Sequence, residues 1–219
     1  MSNKSVTGAH LGGQLYLAWA GMVYVLSFLL LYPLFFICIK IKPLNWVTFL
    51  LNKVWCIFFF PGSLLFYKVE RRFRPQYGES YVYVANHGSY LDIPLLTWIL
   101  PGFICFIGKY SLTKVPLFGF VFKNLHISVD RKNSQDRMLS MTRATEQIQK
   151  YNRPIVFFPE GTINAEAQPQ LSGFKDGAFK VAIENKVKIV PITIPYNWIL
   201  LPSHKKLFAR WFKCEVIIH

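Results

Sequence analysis

Seven consecutive residues, Asn86-His87-Gly88-Ser89-Tyr90-Leu91-Asp92, carry the most chemistry in this sequence. The apolar run 81–85 before them reads as a β-strand, so the histidine stands at a strand exit, where open α/β sheets place reactive groups. Histidine titrates near neutral pH and can take a proton from a weak nucleophile such as an alcohol. If the chain turns into a helix after the strand, Asp92 folds back to one imidazole nitrogen. There it fixes the tautomer and supports the positive charge that forms as the other nitrogen accepts a proton.

Two further stretches could complete a site. Phe157-Phe158-Pro159-Glu160-Gly161-Thr162 puts a carboxylate, a glycine and a hydroxyl at another strand exit, where backbone amides can approach a polar ligand. Gly108-Lys109-Tyr110-Ser111-Leu112, with Pro116 and Gly119, is followed by Arg131. A lysine and an arginine after successive strands can converge on one anion. Other motifs fail. Five residues separate Gly102 from Gly108-Lys109 and Tyr110 follows, so this is not a P-loop, and there is no GxSxG or HExxH. Cys38, Cys56, Cys105 and Cys214 sit at wide spacings in apolar runs and read as buried reduced thiols.

These residues need a scaffold, and residues 79–219 alternate in the right way. Strands are expected at 81–85, 103–107, 126–129, 154–158, 187–194 and 213–218. Helices are expected at 89–100, from Asn133 as N-cap with Met138, Met141, Ile148 and Tyr151 on one face, and at 174–185. This rhythm predicts an α/β fold with a mostly parallel sheet flanked by helices. The chain stops in or just after an apolar strand, so a continuation past His219 is expected.

The first third differs. Leu15 to Ile39 holds no charge, and as a helix it measures about 37 Å against a hydrocarbon core of ~30 Å. Pro33 should kink it, and Lys40 and Lys42 flank its end. A second run, 44–69, carries Trp46 and Trp55 and is interrupted by Lys53. It is broken at Pro61-Gly62, which suits the membrane interface. Both a span and a re-entrant dip fit the pair. Lys68, Arg71, Arg72 and Arg74 follow as a basic collar for anionic head groups. The chain of 219 residues is 53% apolar and 16% charged with net charge +14, and no carboxylate precedes Glu70. High apolarity with high positive charge points to an anionic membrane surface, and nucleic acid does not explain the apolar excess. Residues 1–70 are therefore expected to form a membrane-anchoring helix pair and 71–219 the α/β domain.

Together the blocks resemble the lysophosphatidic acid acyltransferase family of glycerolipid acyltransferases. Its NHxxxxD block is matched from Asn86 to Asp92, and its second block by Lys109, Pro116 and Gly119 with Arg131 beyond. FPEGT is matched from Phe158 to Thr162, FKxG from Phe174 to Gly177, and a VPI-type strand at Val190-Pro191-Ile192. The N-terminal helices also resemble the family's membrane-docking pair. One departure stands out: the arginine that usually follows EGT is Ile163 here.

The resemblance implies a membrane-bound enzyme at the cytoplasmic face, the inner membrane in a bacterium. It would move a fatty acyl group from an acyl thioester to the sn-2 hydroxyl of 1-acylglycerol 3-phosphate. His87 would be the general base, oriented by Asp92. Asn86, Lys109, Arg131, Glu160, Gly161, Thr162 and Lys175 would bind substrate, with Lys109 or a backbone amide facing the oxyanion. Implied partners are membrane lipids, a lysophospholipid acceptor and acyl-CoA or acyl carrier protein as thioester co-substrate, with no metal or redox cofactor. The alternatives are an acyltransferase for another lysolipid, such as a lyso-aminolipid, or a non-catalytic membrane lipid-binding protein.

Overall fold

A computed structural model describes residues 3–163, 168–201 and 213–219, with side chains from residue 12 onward. In chain order the elements begin with α1 (Asn3–Lys40), α2 (Val47–Gly62), β1 (Lys68–Arg71), β2 (Tyr81–Ala85), α3 (Asp92–Ile99) and β3 (Cys105–Lys109). Then come α4 (Phe118–Leu125), β4 (Ile127–Val129), α5 (Ser134–Tyr151), β5 (Ile155–Phe157), α6 (Gly177–Asn185), β6 (Lys188–Thr193), α7 (Asn197–Leu200) and β7 (Glu215–Ile218). The seven strands form one sheet in the order β1-β7-β6-β2-β5-β3-β4. From β6 to β4 every pairing is parallel; β7 runs antiparallel to β6 and carries β1 beside it.

The central strand β2 is buried along its whole length, as a two-sided parallel strand must be, and its residues alternate between two cores. Tyr81, Tyr83 and Ala85 face a core shared with Leu95 and Leu96 of α3, Phe59 and Phe60 of α2 and Phe35 of α1. Val82 and Val84 face a smaller core with Ala144 and Ile148 of α5 and Val181 of α6. The expected α/β class with a mostly parallel sheet between helices is what is found.

Several expectations shift. Lys68 and Arg71 of the basic collar belong to an edge strand; Lys68 pairs with Glu215 at 3.9 Å and Arg72 with Glu70 at 2.6 Å. Strand β3 begins two residues later than expected and ends on Lys109. On α5, Met138 and Tyr151 are exposed, because the buried stripe is Ser140, Ala144 and Ile148 with Met141 against it. Asn133 does cap α5, its Oδ1 accepting from the amides of Gln135 and Asp136.

Helix α1 runs through Pro33 to Lys40, and its stretch Gly12–Lys40 is long and apolar enough to cross a membrane. Helix α2 ends at Pro61-Gly62, where Tyr16 Oη and Trp19 Nε1 donate to the carbonyls of Ser63 and Gly62 at 2.8 and 2.9 Å. Trp55, expected at the interface, is buried edge-on against Tyr24, and Phe60 stacks on Trp98 of α3 at 4.6 Å. The helix pair therefore shares one continuous core with the sheet, and residue 70 marks a change of sequence texture within it.

Candidate active site

Parallel strands deliver their carboxyl ends to one edge of the sheet, and here that edge collects the chemistry. His87 follows β2, Glu160 follows β5, Lys109 ends β3 and Arg131 follows β4. These four strands are neighbours in that order. At roughly 4.8 Å per strand the row from His87 to Arg131 is about 14 Å long.

At the β2 exit the chain turns tightly and enters α3 with Asp92 in its first turn. His87 Nδ1 lies 2.8 Å from Asp92 Oδ2. The same oxygen accepts from the amides of Gly88 and Ser89, both at 2.9 Å, and Oδ1 accepts from Asn197 Nδ2 at 2.8 Å. Four donors thus hold a carboxylate that is 0% exposed. With Nδ1 turned to Asp92, Nε2 is left as the proton acceptor. The imidazole stacks on Phe158 at 3.9 Å with planes 16° apart, so the FPEGT segment supplies the platform for the histidine.

Two residues expected to bind substrate are hydrogen-bonded to the backbone. Asn86 has both amide atoms engaged with the backbone of Ile194: Nδ2 donates to its carbonyl at 2.9 Å and Oδ1 accepts from its amide at 2.7 Å. It ties the β2 exit to the end of β6. Glu160 is buried and accepts from the amides of His87 and Ser172, both at 2.9 Å. It braces the histidine turn. Sequence spacing showed these residues near the site but not that the backbone consumes them.

The cations are different. Arg131 is half-buried, and burial lowers its guanidinium from the ordinary value; no carboxylate pairs with it among the described residues. Lys109 and Thr162 are exposed at the same edge. Gly161 adopts φ +74°, and a Cβ there would lie 2.6 Å from Lys175 Nζ. The positive φ is what favours glycine here, and the Lys175 ammonium lies across the turn. Ile163 is half-buried next to it. Gly119 is also a packing glycine, since a Cβ would come 2.2 Å from the Thr113 carbonyl oxygen.

An apolar groove of about 160 Å³ runs beside the turn. Tyr16, Ala20, Gly21 and Tyr24 of α1 form one wall, and Tyr90 and Leu91, between His87 and Asp92, contribute to another. Cys38, Cys56 and Cys105 are buried free thiols, and Cys214 is partly exposed. Burial pushes the Cys105 thiol up to about 12, far from a nucleophile's range. Among the described residues no cluster of three or more His, Cys, Asp or Glu is spaced to hold a metal ion.

Sequence reading missed three residues. Asn197, 105 positions away, donates to Asp92, and Tyr67 in turn donates to Asn197. Lys53 Nζ donates to the carbonyls of Thr97, Trp98 and Leu100 at 2.6, 2.9 and 2.5 Å, capping the C-terminus of the helix that begins with Asp92. Asn197 stands just past the end of β6, so position at a strand exit was the one available signal.

A histidine–carboxylate pair thus stands on the carboxyl edge of a parallel sheet, next to an apolar groove and to cations without a carboxylate partner among the described residues. The chain belongs to the Acyltransferase family, whose pattern matches residues 66–195. It is 32% identical over 210 residues to a 1-acyl-sn-glycerol-3-phosphate acyltransferase of Chlamydomonas reinhardtii, covering 90% of this chain and 61% of that one. A protein of the same name from Helicobacter pylori is 32% identical over 135 residues, 62% of this chain and 56% of that one. The chain thus spans less than two thirds of these relatives. The solved 1-acyl-sn-glycerophosphate (LPA) acyltransferase PlsC from Thermotoga maritima shares the fold, with TM-score 0.76 at 20% identity over 95% of this chain and 84% of that one.

Proposed function

We propose that the protein moves a fatty acyl group from an acyl thioester to the sn-2 hydroxyl of 1-acylglycerol 3-phosphate, giving phosphatidic acid. The observation that carries this is His87, whose Nδ1 is held by a buried carboxylate so that Nε2 remains as the base, in a chain with acyltransferase relatives. As the hydroxyl oxygen attacks the thioester carbonyl, Nε2 takes its proton. The tetrahedral intermediate collapses, the C–S bond breaks, and the departing thiolate takes the proton from Nε2. No covalent acyl-enzyme forms. The amides of His87, Gly88 and Ser89 are already spent on Glu160 and Asp92, which leaves Lys109 and Lys175 to face the oxyanion or the phosphate. Arg131, half-buried without a counter-ion, suits the phosphate.

Residues 1–70 hold the protein on the cytoplasmic face of a membrane, chiefly by apolar burial. Leu26, Leu30, Leu34, Phe36 and Ile37 of α1 and Ile57 and Phe58 of α2 are exposed, which supports this. The groove walled by α1 accommodates acyl chain. The donor is acyl-CoA or an acyl carrier protein thioester, and membrane lipids are the surroundings. A second reading, an acceptor with another head group such as a lyso-aminolipid, is favoured by Ile163 alone, since isoleucine cannot replace a bidentate guanidinium.

The test is an acyl-transfer assay with both donor types against a panel of lysolipids, including 1-acylglycerol 3-phosphate and its phosphate-free monoacylglycerol. Strong preference for the phosphorylated acceptor is expected. Equal use of both would refute the head-group assignment, and no transfer to any lysolipid would refute the enzymatic reading.

A further inference from the structure

We infer that Tyr67 and Asn197 are positioning residues that extend the His87–Asp92 pair into a four-member hydrogen-bonded chain and act on acyl transfer only through Asp92; the effect on turnover rests on the function proposed above. Tyr67 Oη lies 2.6 Å from Asn197 Oδ1, and Asn197 Nδ2 lies 2.8 Å from Asp92 Oδ1. Asn197 is 1% exposed.

Chemistry fixes the direction of each bond. A carboxylate only accepts, so the amide nitrogen of Asn197 faces Asp92 and its carbonyl oxygen faces the phenol. Tyr67 must then donate. Burial, foremost, holds the Tyr67 phenol well above its ordinary range, so the donor persists wherever the protein is folded. All donation thus runs toward Asp92, from Tyr67 through Asn197 on one side and from His87 on the other. An amide buried this deeply costs stability unless both ends are satisfied, and here both are.

The two arms of Asp92 do different work. Oδ2 meets the imidazole and two amides of its own turn. Oδ1 receives its bond from α7, distant in sequence, and this stops the carboxylate rotating about its broad terminal torsion. A second bond secures the same neighbour, since Ser89 Oγ donates to the Leu201 carbonyl at 2.9 Å. Tyr67 is itself set edge-on against Phe60 of α2 at 5.6 Å. The orientation of the general base is thereby referred back to the helix pair.

The experiment compares full-length wild type, Tyr67→Phe, Asn197→Leu and the double variant in lipid–detergent micelles. Asn197→Leu should lower kcat about 10–100-fold, the worth of one hydrogen bond to a charged group, with KM for both substrates within about twofold. Tyr67→Phe should lower kcat about 3–10-fold, and the double variant should match Asn197→Leu, because Tyr67 has no other route to Asp92. Multiplying losses, a change in KM instead of kcat, or wild-type kcat in Asn197→Leu would overturn the inference. If Asn197→Leu does not fold, Tyr67→Phe decides alone: a kcat loss at constant KM supports the chain, and unchanged kcat overturns it. The proton resonance of His87 Nδ1–H reads the same chain without turnover. It should be exchange-protected in wild type and broadened in both single variants, and an unchanged resonance in both would overturn the inference. Wild type that transfers no acyl group would refute the proposed function while leaving that resonance as the test of the chain.

Discussion

The carboxyl edge of the sheet has two halves built on opposite rules. At the β2 and β5 exits the polar side chains are spent inside the protein: Asp92 on four donors, Glu160 on two amides, Asn86 on the Ile194 backbone. At the β3 and β4 exits, Lys109 and Arg131 have no carboxylate partner among the described residues. The first half is rigid before any substrate arrives, which is how a general base is kept in line. The second keeps its charge unpaired, which is how a site stays ready for an anion. In the proposed mechanism, preorganisation belongs to the reacting group and unpaired charge to the recognising one.

The sharpest way to break this contrast is His87→Ala, which should lower acyl transfer about 10²–10⁴-fold at unchanged membrane association. Near-normal turnover by the purified variant would remove the base from the mechanism. Glu160→Ala leaves the His87 and Ser172 amides without their acceptor, so kcat should fall about 10–100-fold together with thermal stability. If it raised only KM, the brace would instead be a substrate ligand. Arg131→Ala tests the other half: KM for the phosphorylated acceptor should rise about tenfold or more while kcat and melting temperature hold. A loss of stability without a change in KM would make Arg131 structural.

The smallest effect lies outside both halves. Burial, foremost, pushes His126 down to about 4, and its Nδ1 accepts from the Phe106 amide at 3.4 Å. The folded state therefore resists a proton that the unfolded chain binds near pH 6.5, so stability present above that pH is lost as the pH falls toward 4. The ring is partly exposed, which reduces the expected loss to about 1–2 kcal/mol. His126→Gln should flatten this slope in denaturant titrations at pH 4.5 and 7, and an unchanged slope would assign the acid sensitivity elsewhere.

What could be read from sequence was local. Asn86 to Asp92 declare a site because strand, turn and helix start lie within a dozen residues, and Asn133 declares a cap for the same reason. Strand β1 was hidden because its residues, Lys68, Val69, Glu70 and Arg71, look like a charged linker until β7, 147 positions on, pairs with them. Tyr67 and Asn197 are ordinary residues in isolation, and only the fold brings them to one carboxylate. The backbone bonds of Asn86 and Glu160 were not legible either, because spacing shows proximity and not which backbone atoms a side chain meets.

Helix α1 supplies both the apolar exterior and one wall of the groove. Under the proposed membrane docking, a lipid tail would reach the groove sideways from the bilayer along this helix. Wetting such a tail would cost about 0.8 kcal/mol for each methylene, so a doorway that opens into the bilayer removes the largest barrier to delivery. On that reading a trimmed version lacking α1 would lose one wall of the groove together with the proposed anchor.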